Sequence, residues 1–248
     1  MSFGDLRLSL RTNMNRSPLF IGMSVVALVA VAVGFGRTYV VPMVGGTFEA
    51  PPILHIHGAL AMAWVLLFAL QPMLIRMRHV NWHRRVGQLG VPLAVAVAIT
   101  MIPAGVVQVR RELSQGFGDV AISSILGVCT SGLMFVLLVV AGYVQRRQRD
   151  AHPRWMLLAT LVVIWPAWFR FRHWMPWVPN PEFWLAFVLA DVWILVAMLH
   201  DRLTRGAVHP VLLWGGLVVI AEQGAEVFLF DSLWWRAAAH AVWSVVGA

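Results

Sequence analysis

Seven stretches of this chain are long and apolar enough to cross a lipid bilayer, and no other feature restricts its fold so tightly. A helix needs roughly 20 apolar residues to span the hydrocarbon core. Residues 18–41, 52–75, 88–109, 120–144, 153–174, 182–199 and 211–230 all qualify. Proline stands at or near the start of several (Pro18, Pro52, Pro153, Pro210), where a missing N–H costs a helix nothing. The expected fold is all-α: one transmembrane domain over residues 1–248, a bundle of about seven spans. A final segment, 232–247, places Arg236, His240 and Ser244 opposite Ala238, Val242 and Val246. It reads as a short amphipathic or eighth helix, lying at the interface or packed on the bundle.

Charge supports the same picture. Only 12% of residues are charged, and the chain has 19 basic residues, all arginine, against 11 acids. These arginines cluster between apolar runs, a pattern that orients membrane spans and argues against nucleic-acid binding. With the N-terminus in the cytoplasm, Arg37, Arg110, Arg111, Arg170, Arg172 and Arg236 fall outside and the other thirteen inside. The expected orientation is therefore N-terminus cytoplasmic and C-terminus outside. Arg7, Arg11 and Arg16 ahead of the first apolar stretch imitate a signal peptide, but an uncleaved first span is the reading adopted. A lone cysteine, Cys129, excludes a disulfide framework.

Ionisable side chains inside a span are functional candidates because each is expensive to place there. With a rise of about 1.5 Å per residue, His57, Arg170 and Glu226 come out roughly 6–8 Å below the outer boundary. Asp191 and Glu222 come out roughly 12–14 Å deep. Glu222 and Glu226, four residues apart, share a helix face. Two readings of this outer layer stand side by side. In one, Arg170 and Arg172 pair with Glu222 and Glu226 and only hold helices together. In the other, Asp191, Glu222, Glu226 and Arg170 carry chemistry in a polar cavity open to the outer side, with His57 and His173 beside it.

His55 and His57 form a His-x-His pair, which with Glu226 is the candidate metal set. Residues two apart on a regular helix point about 200° apart, so chelation by both requires an unwound helix start after Pro51–Pro52. His83 and His152 precede the third and fifth spans and are candidates to face one inner layer. Opposed histidines of this kind can hold a b-type haem. The remaining inner histidines, His79, His200 and His209, read as interfacial.

Three motifs run through the first part of the chain. His55-Ile56-His57-Gly58 is followed by an apolar run and Gln71. Trp82-His83-Arg84-Arg85-Val86-Gly87 and His152-Pro153-Arg154-Trp155-Met156 come next. On these motifs the chain resembles a family of bacterial multi-span membrane proteins of unknown function. The resemblance implies a bacterial inner-membrane location and draws attention to His57, His83 and His152, but supplies no chemistry. Asp191, Glu222 and Glu226 lie beyond it.

The resulting functional expectation is a redox protein binding haem b or a transition-metal ion, with a quinone or other small molecule as a candidate ligand. The alternatives are a proton-coupled solute transporter or channel, and an accessory subunit of a larger membrane complex. No nucleophile elbow, glycine-rich phosphate loop or His-Glu-x-x-His signature is present.

Overall fold

A computed structural model describes residues 18–247 of the chain. Arg7, Arg11 and Arg16 lie outside the described residues. Among those described, helices and their connections account for everything and no strand occurs. The long helices are α1 (Pro18–Val44), α2 (Pro52–Arg76), α4 (Gly90–Ser114), α5 (Asp119–Val144), α6 (Ala151–Phe169), α7 (Glu182–Arg205) and α8 (Val211–Leu229). Two shorter ones complete the set: α3 (Val80–Gly87) between α2 and α4, and α9 (Leu233–Val246) at the end. Short connections make consecutive long helices antiparallel neighbours.

Six segments are long and apolar enough to cross a membrane: α1, α2, α3 continuing into α4, α5, α7 and α8, with mean hydropathies of 1.5 to 2.4. The chain is thus a multi-pass membrane protein. The seventh expected span, α6, has the length (19 residues) but not the apolarity. It carries His152, Pro153, Arg154, Thr160 and Pro166, and its helix stops at Phe169, giving way to a 3-10 turn over Arg170–His173.

That helix is also the most enclosed. It packs against α1, α2, α5, α7 and α8. Leu157, Leu158, Ala159, Thr160, Leu161 and Val162 are six consecutive buried residues, so α6 is covered on every side. The arrangement follows from the solvent. In a bilayer the lipid-facing helices must be the most apolar, and a helix sheltered by its neighbours is free to carry polar groups. Thr160 is satisfied internally: Trp64 of α2 donates from Nε1 to Thr160 Oγ1 at 3.2 Å, and Thr160 donates to the Met156 carbonyl at 2.8 Å. The indole N–H groups of Trp155, Trp165 and Trp168 on the same helix, in contrast, are buried without a partner. On another face α1 approaches at Gly34, where a Cβ would stand 2.8 Å from Ala167 Cα. Such small-residue crossings let membrane helices pack by close contact where no hydrophobic force separates them from lipid.

The end at which α6 starts is clamped by an ion pair. Arg154, 5% exposed, donates through Nε to Asp201 Oδ2 at 2.8 Å and through Nη2 to Oδ1, while Asp201 is wholly buried. By position in the sequence Arg154 counts among the cytoplasmic-side charges. Its burial is explained by Asp201, delivered to the same spot by α7.

The C-terminal helix α9, 14 residues long, packs against α5 and α4, burying Ala239 against Val106, Val109, Ala121, Ile122 and Ile125. Two residues of its polar stripe, Arg236 and His240, make contacts beyond the helix, while Ser244 bonds only the Ala241 carbonyl of its own helix. Arg236 holds Asp231 by two hydrogen bonds, Ser123 Oγ donates to Asp231 Oδ1 at 2.9 Å, and His240 Nε2 lies 3.3 Å from Asp119.

Candidate functional site

Helix α8 enters as a π-helical stretch, Val211–Gly215, and becomes regular from Gly216. Its regular part holds Glu222 and Glu226 one turn apart, facing α5 and α7. On α5 the facing strip is Gly127 and Ser131, also one turn apart. The glycine leaves a hollow that the Glu226 carboxylate occupies, so that a Cβ at 127 would overlap it. Ser131 Oγ lies 3.3 Å from Glu222 Oε1 and 3.4 Å from Glu226 Oε2. Helix α7 supplies Asp191, 5% exposed and within electrostatic reach of Glu222.

Buried carboxylates usually have a cation or several donors. Here the ion pairs among the described residues involve Arg154, Arg205, Arg236 and His240, and none reaches these three acids. Both oxygens of Asp191, Oε2 of Glu222 and Oε1 of neighbouring Gln223 have no hydrogen-bond partner. The cluster is therefore rich in acceptors and poor in donors, with the Thr130 and Ser131 hydroxyls beside Glu222. Ser131 has one hydrogen to give, and a hydroxyl between two acceptors can serve only one of them. Both contacts become hydrogen bonds only when one carboxyl carries a proton and donates to the serine oxygen.

The expected pairing of Arg170 and Arg172 with Glu222 and Glu226 does not form. Arg170 donates to the Pro166 carbonyl at 2.9 Å and stacks its guanidinium 4.4 Å from the centre of the Phe35 ring. Arg172 donates to the Phe169 carbonyl at 2.9 Å. Because the helix tightens after Phe169, both side chains turn back along α6 or toward α1 instead of across to α8. His173 is exposed at the end of that turn. A concavity of about 450 Å³ near this end is apolar, lined by Met175, Val178 and the first turns of α7.

The His-x-His pair behaves as a regular helix dictates. His55 Nδ1 meets Tyr39 Oη at 2.8 Å, whereas His57 Nδ1 meets Thr100 Oγ1 on α4 at 3.0 Å. The structure does not bring His55, His57 and Glu226 together, and no group of three or more His, Cys, Asp or Glu side chains among the described residues is placed to hold a metal ion. His83 on α3 and His152 in the first turn of α6, in contrast, come within electrostatic reach of each other. His152 Nδ1 lies 2.9 Å from the Gly142 carbonyl, while His83 Nδ1 and Gln71 Nε2 are buried with no partner.

Outside the spans, His209 and Asp231 are among the groups shifted by their surroundings. His209 lies below the ordinary histidine value because of burial and the nearby Arg154 and Arg205, with Asp201 and Asp150 opposing. Asp231 is held below the usual carboxylate range by its hydrogen bonds from Arg236 and Ser123.

Ser131, Gly127 and Gln223 join the site only in the folded chain. The signal was present as Gly127 and Ser131 at a four-residue spacing, the small-xxx-small pattern that marks a close helix crossing. Against known proteins, no family model, curated protein or solved structure gives a significant match to this chain.

Proposed function

We propose that this is a proton-handling carrier of the bacterial inner membrane, in which Asp191, Glu222 and Glu226 take up and release protons coupled to movement of a small solute. In this reading α6 crosses the bilayer as a seventh span, the N-terminus is cytoplasmic, and α9 lies on the outer side without crossing. The observation that carries it is one serine hydroxyl between two carboxyl groups, with a third acid beside them and no cation. That arrangement needs a proton to complete its hydrogen bonds, and either Glu222 or Glu226 can carry it. Ser131 relays it between Glu222 and Glu226, and Asp191 is the next acceptor along.

The test combines spectroscopy with flux. Infrared difference spectra of the wild type on acidification are expected to show a carboxylic C=O band that weakens in Glu226→Gln and in Asp191→Asn. Proteoliposomes of the wild type should dissipate an imposed pH gradient faster than empty vesicles, and Asp191→Asn should return to the empty-vesicle rate. A wild type without the band, or variants that leave band and rate unchanged, would overturn the proposal.

A second reading is favoured by His83 and His152. Their proximity, with one buried ring nitrogen free, suits a haem b or transition-metal ion held between α3 and α6, or a quinone headgroup hydrogen-bonded there. When bound, such a group would supply one-electron chemistry. Purified protein with neither a Soret band nor stoichiometric metal by elemental analysis would remove the metal-based form of this reading.

A further inference from the structure

Three guanidinium groups gather at the opposite end of α6 from Asp201, away from the acid cluster, and none is neutralised by contact. Arg37, from the π-helical stretch Gly36–Val40 of α1, donates to the backbone carbonyl of His173. Arg170 and Arg172 belong to that same turn, and all three arginines lie within electrostatic reach of His173. None is within ion-pair distance of a carboxylate among the described residues. Glu182 and Glu112 act on Arg172 only through space.

Each guanidinium is mounted in the same manner. Its central carbon lies over an aromatic ring, 4.4 Å from the centre of Phe35 for Arg170, 3.8 Å from Phe169 for Arg172 and 5.7 Å from Trp174 for Arg37. Its side chain makes a single hydrogen bond to protein, always to a carbonyl. A guanidinium has five N–H donors, so most of the donor edge of each stays free. Stacking on rings fixes these edges in direction and shields them from water on one side, which strengthens recognition of an anion. Three like charges repel, and the fold holds them together without a counter-ion of its own. The exposed Trp174 and Trp177 around them are the residue type that settles at the headgroup layer of a bilayer.

We propose that Arg37, Arg170 and Arg172 form a binding site for a phosphate-bearing anion at the membrane surface. Planar N–H forks match phosphate oxygens two at a time, and a phosphate supplies the missing negative charge. The shared chemistry is the phosphate group, presented either by a phospholipid headgroup of that leaflet or by a free phosphate ion.

Native mass spectrometry from mild detergent, with phosphatidylglycerol and with diacylglycerol, and calorimetric titration with inorganic phosphate distinguish the sources. Retention of phosphatidylglycerol over diacylglycerol assigns the headgroup. Heat from inorganic phosphate without lipid retention assigns the free ion. In either case Arg37→Gln and Arg172→Gln should each weaken binding roughly tenfold, and Arg172→Lys, which keeps charge but loses the fork, should fall between. A wild type that retains both lipids equally and gives no heat with phosphate overturns the proposal. So does retention or heat unchanged in both glutamine variants. The wild-type comparisons need no variant to fold.

Discussion

Glu226 rests its carboxylate over the α-carbon of Gly127, at the point where α8 meets α5. A single hydrogen atom in place of a methyl group decides where that acid sits. From Gly127 the carboxylate reaches Ser131, and through Ser131 it meets Glu222.

Gly127→Ala is therefore expected to destabilise the protein by about 1–3 kcal/mol, as overpacking does, and to detach Glu226 from Ser131. Pairing it with Glu226→Ala opens room for the new methyl group, so the double variant should melt above the sum of the single losses. Strictly additive thermal shifts would show that the two residues do not share the crossing.

The Arg154–Asp201 pair should behave as a buried charge pair. Asp201→Asn leaves Arg154 uncompensated, for a loss of about 3–5 kcal/mol. Asp150→Asn breaks only the contact of 3.3 Å to Arg205, whose partners are 22% and 43% exposed, and should cost about 1 kcal/mol or less. Equal losses in detergent unfolding would contradict the assignment of Asp201 as the buried anchor.

His209 accepts a hydrogen bond at Nδ1 from the Val211 N–H at 3.1 Å, which requires the neutral ring. Its lowered folded value means that the folded chain binds fewer protons here than the unfolded chain below pH of about 6.5. The stability this neutral ring contributes is present above that pH. It declines as pH falls toward the lowered folded value, then levels off. Melting temperature against pH should thus fall less steeply below neutrality in His209→Gln than in the wild type.

For α9 the sign is that of a depressed carboxyl. Asp231 anchors the helix through Arg236 and Ser123 while ionised, so its contribution is complete above about pH 3.9 and is lost as pH falls through the lower folded value. Asp231→Asn should mimic that loss at neutral pH. Faster amide exchange across 233–246, with the rest of the bundle unchanged, is the expected readout.

The all-helical character and the approximate positions of the long helices were legible because length and apolarity are local properties of sequence. Depth along the helix axis also carried information, since it put Asp191 and Glu222 at one level and the structure places them within electrostatic reach. What depth cannot supply is direction around the axis. Depth alone would set Arg170 beside Glu226, yet Arg170 lies over Phe35, because the regular helix ends at Phe169 and a 3-10 turn follows. Ser131 was hidden for a related reason: a serine in an apolar run is unremarkable until the facing helix is known. Asp201 became interpretable only once α7 had brought it to Arg154.

The burial of α6 also bears on how the chain is made. Four long helices leave the ribosome before α6, but Asp201 arrives only with α7, and α8 comes later still. While α6 is the newest segment, Arg154 has no counter-charge and much of the helix's eventual sheath does not yet exist. On its own it is a poor substrate for lateral release from the translocon, where an arginine is penalised. Release is therefore expected for α6 and α7 together, as a hairpin already joined through Arg154 and Asp201. A glycosylation-tagged α6 should insert weakly alone and efficiently when α7 follows, and Asp201→Leu in the hairpin should remove much of that help.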